Sequence, residues 1–229
     1  MDVKELEYIT DNYGSTKLKL EINCNDFDYP MINALRKVCI NQIPTYAFTP
    51  SKINIISNSS VFDNSYMRLR LSLLPINNIN HNIKFLPLKY YKDNYFNDPN
   101  NDRHADDTYN IEYYLKAKNT GSEQLLNVST NDLRISINNE IIDNAEIYST
   151  EHPLLLIQLR ITEEFECSLK AVVAVGEHDS IFNSAHVYYD NVSDKLYHFY
   201  IESSGQMSEY DLLIRGCEIL IEKYTIIKQ

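Results

Sequence analysis

The stretch Asn33-Ala34-Leu35-Arg36-Lys37-Val38, followed by Ile43-Pro44-Thr45-Tyr46-Ala47, decides the fold of this chain. Apolar residues recur at helical spacing around the first stretch, at Met31, Ala34, Leu35, Val38 and Cys39. That spacing is typical of one face of an α-helix. Side chains suited to an N-cap precede the helix, at Asn25, Asp26 and Asp28. Because proline disfavours helical geometry in the residue before it, Pro44 ends the helix, and we predict a buried helix over residues 28–43.

The composition narrows the class of protein. The chain has 229 residues, is 44% hydrophobic and carries a formal net charge of −11. This apolar content predicts a globular core rather than disorder. Affinity for phosphate backbones comes from Lys and Arg, so we expect no direct DNA contact from so acidic a chain. The N-terminus resembles no signal peptide and no apolar run reaches membrane-spanning length, so we expect a soluble intracellular protein without membrane contact.

The cysteines and the long polar segment bear on metal binding. The chain's cysteines are scattered, at Cys24, Cys39, Cys167 and Cys217. No two of them have the spacing of metal ligands, and Cys39 and Cys217 fall on apolar helical stripes typical of core residues. We therefore predict that this chain binds no zinc, no iron–sulfur cluster and no other cofactor. Residues 92–108 are typical of a solvated surface loop; a metal held by His104 and neighbouring Asp residues is the alternative.

The remaining periodicity predicts a mixture of strands and one further long helix. Leu18, Leu20 and Ile22 alternate with charged residues, which is typical of a half-buried strand. Other segments predicted as strands are 53–56, 109–118, 125–133, 135–137 and 196–205. A short helix is predicted from Asp63 to Pro75. Ser208 followed by Asp211 matches a capping box and predicts a long helix over residues 208–225.

Two blocks of residues resemble the alpha-like subunits of multisubunit DNA-directed RNA polymerases. The first is the opening stretch, 33–47, and the second is 59–76. In the second block the matching residues are Ser60, Val61, Arg70, Leu71, Leu73, Pro75 and Ile76, and the departures are Asn64, Ser65, Leu69 and Ser72. The chain is similar to the alpha-like subunit of archaeal polymerases and to the third-largest subunit of eukaryotic RNA polymerase II. The ordered resemblance covers residues 15–225 and includes segments 153–160 and 165–176, which it implies are paired strands.

The resemblance implies the fold class, the domains and the partners. It implies an α+β fold in which residues 1–51 and 188–229 form a dimerisation domain, with two long helices on a small antiparallel sheet. A mostly β domain, 52–187, is inserted in it. The implied function is assembly without a catalytic site: the chain forms a heterodimer with a smaller alpha-like subunit. That platform recruits the second-largest and then the largest polymerase subunit, with further small subunits as additional partners.

Site residues follow from the same resemblance. Arg36, Lys37 and Arg70 are predicted to contact the second-largest subunit. Adjacent residues of a helix point about 100° apart, so Arg36 and Lys37 cannot both serve one contact. Lys37 stands where the family usually has Arg and lacks its bidentate fork; a solvated helix face is the alternative. The predicted dimer interface consists of Asn33, Leu35, Val38, Leu213, Cys217 and Leu220, although part of this set must pack on the sheet instead.

The origin of the chain and three other functions stay open. The resemblance implies a cysteine-rich zinc loop or an iron–sulfur domain in the region of residues 77–110, but no cysteine lies between Cys39 and Cys167. The missing metal loop, the short length and the abundance of Asn and Ile suggest a large DNA virus. We would then expect the protein in a cytoplasmic viral factory or in the virion, with the nucleus as the alternative. The competing functions are a stand-alone interaction or virion structural protein, a homodimer as in bacteria, and a nuclease or hydrolase using Glu177, His178 and Asp179. For that last cluster, a turn after a strand is the simpler interpretation.

Overall fold

The structure is a computed structural model that describes residues 2–10, 16–23, 29–79, 109–121 and 124–227. The chain divides into two compact units. The first comprises Met1–Thr45, Ile79–Asn97 and Ala174–Gln229, and the second comprises Tyr46–Asn78 and Asp98–Val173. The sequence-based boundaries at 51/52 and 187/188 stay a prediction about domains. The compact units change over at 45/46 and 173/174. Residues 46–51 belong to the second unit, and residues 174–187 belong to the first.

The described strands, in chain order, are β1 (Asp2–Thr10), β2 (Thr16–Asn23), β3 (Thr45–Ala47), β4 (Ile53–Asn58), β5 (Ile111–Lys118), β6 (Leu125–Ser129), β7 (Arg134–Ile137), β8 (Glu140–Ile142), β9 (Leu155–Arg160), β10 (Glu164–Lys170), β11 (Val172–Ala174), β12 (Ala185–Ser193) and β13 (Leu196–Ser203). The α-helices are α1 (Tyr29–Asn41), α2 (Asn64–Ser72), α3 (Asn144–Ile147) and α4 (Glu209–Ile227). Single 3₁₀ turns occupy Pro50–Lys52, Thr130–Asp132 and Ser180–Phe182.

The first unit is an antiparallel sheet with helices on one face. Its strand order is β1-β2-β13-β12. Leu18, Leu20 and Ile22 of β2 are buried, as their alternation predicts, and they share one core with α1 and α4. The Ser208 hydroxyl accepts from the Asp211 backbone N–H at 3.2 Å and begins α4 as predicted. The predicted α+β fold, with two long helices on a small antiparallel sheet, is confirmed.

Edge strand β1 is tied to the start of α4 by a buried carboxylate. Every residue of β1 is exposed, whereas the side chain of Glu209 is almost fully buried. Glu209 accepts hydrogen bonds from the hydroxyls of Tyr8, at 3.1 Å, and Thr16. In return, the Tyr210 hydroxyl donates to Glu5 at 2.7 Å. The sequence did not predict β1, because a strand that buries no face lacks the apolar alternation that identifies strands.

The second unit is built on a five-stranded sheet of order β4-β10-β5-β7-β8, with β6 and β9 forming a separate pair. Asp63 caps α2, accepting from the backbone N–H groups of Ser65 at 2.7 Å and Tyr66 at 3.0 Å. The implied pairing of segments 153–160 and 165–176 is wrong. Strand β10 has both of its edges occupied, by β4 and β5, so β9 pairs with β6.

Some expectations fall beyond the described residues. The predicted N-cap side chains at 25–28 and the polar segment 92–108 lie outside the described ranges.

Strand β12 was not predicted, because polar residues interrupt its apolar alternation. No helix in the described part of the chain is both long and apolar enough to cross a membrane.

Candidate functional site

Helices α1 and α4 meet at Gly216, and this contact positions the predicted interface residues. A Cβ atom at position 216 would lie 2.5 Å from the Cys39 Sγ atom and 3.4 Å from the Leu35 Cδ1 atom. The Cys39 thiol also donates a weak hydrogen bond to the backbone oxygen of Leu212, at 3.7 Å. A methyl group at this position would displace the Cys39 sulfur atom unless the helices moved apart. The residue therefore sets how closely the helices approach.

The thiols at this contact are packing groups. Burial raises the pKa of the Cys39 thiol to about 12, and burial also raises the pKa of Cys217. Because the thiolate is the reactive form, both groups are protonated and unreactive near neutral pH. The prediction that both are core-type residues agrees with their positions: Cys39 is fully buried and Cys217 packs against the core.

Helix α4 carries more apolar surface than the described residues of its own chain cover. Leu212, Gly216 and Ile219 face the core and are buried. Beside them is a second face, which we call the α4 outer face: Tyr210, Leu213, Ile214, Cys217, Leu220, Ile221 and Tyr224. Leu213, Cys217 and Leu220 are half-buried, whereas Ile214 and Ile221 are 56% and 66% exposed. An apolar helix face exposed to this extent marks a site of association.

The structure divides the predicted dimer interface into core and surface. Leu35 and Val38 are each only 3% exposed and belong to the core of the first unit. Leu213, Cys217 and Leu220 border the surface, and their interface role stays a prediction. The sequence prediction omitted the exposed members of the face, among them Ile214 and Ile221. The width of the apolar arc was the available signal, because one core contact needs only about 100° of helix surface.

The predicted basic contacts have defined surroundings. The Nε and Nη2 atoms of Arg36 donate to the Asn33 Oδ1 atom at 3.2 Å and 3.0 Å, so Asn33 holds the guanidinium rather than facing a partner alone. Lys37 is exposed on a different side of α1. Arg70 lies in the second unit, where its Nε and Nη2 atoms donate to the backbone oxygens of Leu156 and Leu155, both at 2.8 Å. Contact of all three with a partner stays a prediction.

Helix α2 presents a second exposed apolar stripe. Met67 and Leu71 face the core of the second unit and are fully buried. On the opposite side Phe62, Tyr66, Leu69 and Leu73 follow one another at helical spacing; we call them the α2 stripe. The rings of Phe62 and Tyr66 stack with centroids 5.1 Å apart, and Leu69 and Leu73 are 58% and 67% exposed.

The Glu177-His178-Asp179 cluster forms a turn. The backbone N–H of Glu177 donates to the backbone oxygen of Asn41 at 3.0 Å, and its carboxylate accepts from the side chain of Gln42. The Asp179 carboxylate caps the following 3₁₀ turn through the Ile181 N–H, at 3.1 Å. These contacts favour the turn interpretation of the cluster. Within the described ranges, no group of three or more His, Cys, Asp or Glu side chains could hold a metal ion.

With this geometry in place, comparison with known proteins identifies the family. The family model of the RNA polymerase Rpb3/Rpb11 dimerisation domain matches residues 21–224. The chain belongs to this family. The match extends over both α1 and α4, and thus includes the helix contact at Gly216 and the α4 outer face.

Curated relatives agree with the Rpb3/Rpb11 assignment. The chain is 26% identical over 187 residues to DNA-directed RNA polymerases IV and V subunit 3B of Arabidopsis thaliana, which covers 79% of this chain and 54% of the relative. It is 23% identical over 191 residues to DNA-directed RNA polymerase subunit Rpo3 of Methanocaldococcus jannaschii, which covers 83% of this chain and 79% of the relative. The chain thus spans about half the length of the plant relative. The predicted resemblance to alpha-like RNA polymerase subunits is confirmed.

Replacing Gly216 tests the helix contact. Gly→Ala inside a helix normally stabilises by about 1 kcal/mol. Here we expect Gly216→Ala to lower the free energy of unfolding by about 1–2 kcal/mol, because the new methyl group overlaps the Cys39 sulfur. Urea unfolding of the single variants and of the double variant with Cys39→Ala measures the coupling. In the Cys39→Ala background the penalty should shrink by about 1 kcal/mol or more. A stabilising Gly216→Ala would contradict the packing described here.

Proposed function

We propose that the chain is the non-catalytic, alpha-like assembly subunit of a DNA-directed RNA polymerase. One observation carries this proposal: Ile214 and Ile221 of the apolar α4 outer face stay exposed among the described residues of a chain that belongs to the Rpb3/Rpb11 dimerisation family. Its partner on this face is a smaller alpha-like subunit. The resulting heterodimer recruits the second-largest subunit and then the largest, catalytic subunit.

The chemistry of the α4 outer face suits a permanent partner. Obligate subunit interfaces bury about 2,000 Å² or more and resemble a hydrophobic core cut in half. The half-buried Leu213, Cys217 and Leu220 would form the centre of such a core, continuous with the chain's own. The carboxylates of Glu218 and Glu222 lie beyond the apolar arc of the same helix. They would form a polar rim that favours a partner with basic side chains there.

A separate pair of surfaces suits the second-largest subunit. Arg36 is held in position by Asn33, so its guanidinium loses little conformational freedom on binding a carboxylate. Lys37 supplies a point charge on another side of the helix. In the second unit, the α2 stripe offers apolar contact area, and Arg70 braces α2 against β9. These surfaces are the candidate contacts for the large subunits.

A charge on the α4 outer face should prevent dimerisation without unfolding the chain. We expect Ile221→Glu to reduce co-purification of the smaller alpha-like subunit at least about thirtyfold, because an unpaired carboxylate would be buried within an apolar interface. Since Ile221 is 66% exposed in the chain itself, its free energy of unfolding should change by less than about 0.5 kcal/mol. Tagged pull-down with quantitative mass spectrometry measures the capture.

The matched control is Ile141→Glu, the same substitution at a 71% exposed residue of β8, in the second unit and outside the α4 outer face. It should retain full capture of the partner. Equal capture by Ile221→Glu and the unchanged chain would remove the α4 outer face from the assembly account.

Loss of the Asn33 amide should weaken the contact made by Arg36. In Asn33→Ala the guanidinium loses its acceptor and becomes mobile, so we expect capture of the second-largest subunit to fall about three- to tenfold. Arg36→Lys should leave capture of the smaller subunit unchanged, whereas a fall with Asn33→Ala would support the predicted place of Asn33 in the dimer interface. The same pull-down gives both values, and Arg36→Lys is the companion variant because it keeps the charge but loses the planar fork. If Asn33→Ala and Arg36→Lys both capture the second-largest subunit normally, this contact is not made by Arg36.

The composition carries three subsidiary proposals. The net charge of −11 favours a chain that holds no DNA itself, and the scattered cysteines favour one that holds no zinc or iron–sulfur cluster. The abundance of Asn and Ile favours a large DNA virus as the source, with the protein in cytoplasmic viral factories and virions rather than the nucleus. We expect mass spectrometry of purified virions to find the chain together with the two largest polymerase subunits. Virions that lack the chain would exclude packaging.

A further inference from the structure

The outer face of the five-stranded sheet in the second unit carries a ladder of charges. This face is opposite the core, and its residues come from β10, β5 and β7 in register. Two rungs are complete ion pairs: Lys118 with Glu164 at 3.2 Å, and Lys116 with Glu166 at 2.9 Å. Hydrogen bonds from Ser57 and Lys118 hold the pKa of Glu164 below its ordinary value, so this carboxylate is already satisfied. At this end of the sheet, the charges balance.

The other end of the same face has more cationic than anionic side chains. The single carboxylate there, among the described residues, is Glu112, whose Oε1 atom lies 3.9 Å from the Lys170 Nζ atom. Lys52 and Arg134 border the same site. Neither side chain forms a hydrogen bond or ion pair with another described residue. Like charges gathered on one sheet face destabilise it unless something of opposite charge binds between them.

These residues surround a cavity. Its volume is about 320 Å³, at the small end of the range for ligand sites, and it is enclosed partly by the sheet and partly by the 3₁₀ turn Pro50–Lys52. The charged lining is Lys52, Lys170, Arg134 and Glu112. Ser136 and Ser168 also line the cavity, and the Ser136 hydroxyl donates to the backbone oxygen of Glu112 at 3.3 Å. Within a chain of net charge −11, this is a local concentration of positive charge.

We propose that this cavity binds a ligand bearing a phosphate group, with Arg134, Lys52 and Lys170 as its cationic contacts. The site goes beyond the assembly function and is independent of the α4 outer face. A phosphate monoester carries roughly two negative charges at neutral pH, which matches the net charge of a site with three cations and one carboxylate, and a polyphosphate carries more. The planar guanidinium of Arg134 can bind two phosphate oxygens at once, and the ammonium groups act as point charges.

Two sources could supply this chemistry: a free polyphosphate, or a phosphorylated side chain of a partner protein. Isothermal titration of the 229-residue chain with pyrophosphate and with a short phosphoserine peptide distinguishes them. We expect saturable one-to-one binding of at least one probe, and the tighter probe identifies the source. A glutamate-rich peptide of equal charge is the third titrant. Binding of that peptide as tightly as of the phosphate probes would overturn the assignment to phosphate.

Variants connect binding to the cavity. We expect Arg134→Gln to weaken the tighter probe about tenfold or more, because a charged bidentate contact is lost. Lys118→Gln removes the same charge from the same face but outside the cavity, and should change the affinity less than about twofold. Glu112→Gln removes the opposing carboxylate and should tighten binding about threefold. This last variant gains affinity, so misfolding cannot imitate its result.

Three results would contradict the proposed phosphate site. Equal effects of Arg134→Gln and Lys118→Gln would show that the probe responds only to overall charge. Weaker binding by Glu112→Gln, or no binding of either phosphate probe by the unchanged chain, would also overturn the proposal.

Discussion

The close contact of α1 with α4 at Gly216 determines what the first unit can present to a partner. The missing side chain at Gly216 lets Cys39 and Leu35 approach the helix backbone, and both helices then share one core with β2 and β13. In this arrangement α1 buries its apolar face, including Leu35 and Val38, in the core of the first unit. Helix α4 has apolar residues around more than half of its circumference, so burying one face leaves another uncovered.

That imbalance agrees with the chain's membership of the Rpb3/Rpb11 dimerisation family. Exposed apolar surface of this extent is unfavourable in isolation, and association with a complementary surface removes it from water at about 25 cal/mol per Å². The second unit has its own example in the α2 stripe, where Met67 and Leu71 fill the core while Leu69 and Leu73 remain outside. In both helices, apolar residues on opposite sides serve two purposes. One side holds the fold, and the other is available to a partner.

Sequence reasoning could predict the elements that carry a periodic pattern. The alternation of Leu18, Leu20 and Ile22 predicted β2, and the capping box at Ser208 predicted the start of α4. It could not predict β1, whose residues bury no face, or the pairing of β9 and β10, which depends on which sheet edges are free. Nor could the spacing of apolar residues show that Leu35 and Val38 lie in the core whereas Leu213 and Leu220 border the surface. Core and interface residues have the same chemistry, and only the folded chain shows which are covered.

The cation cluster on the second unit was beyond the reach of sequence for a related reason. Lys52, Arg134 and Lys170 are far apart along the chain and are interspersed with acidic residues. Strand register brings Arg134 and Lys170 to one end of one face, and the 3₁₀ turn Pro50–Lys52 adds Lys52 there. At this end the local charge opposes the charge of the chain as a whole.

Affinity purification of the tagged chain from its native source, followed by native mass spectrometry, tests the assembly function most directly. We expect one complex that contains this chain, a smaller alpha-like subunit and the two largest polymerase subunits in equal amounts. A chain recovered alone, or only as a homodimer, would contradict it.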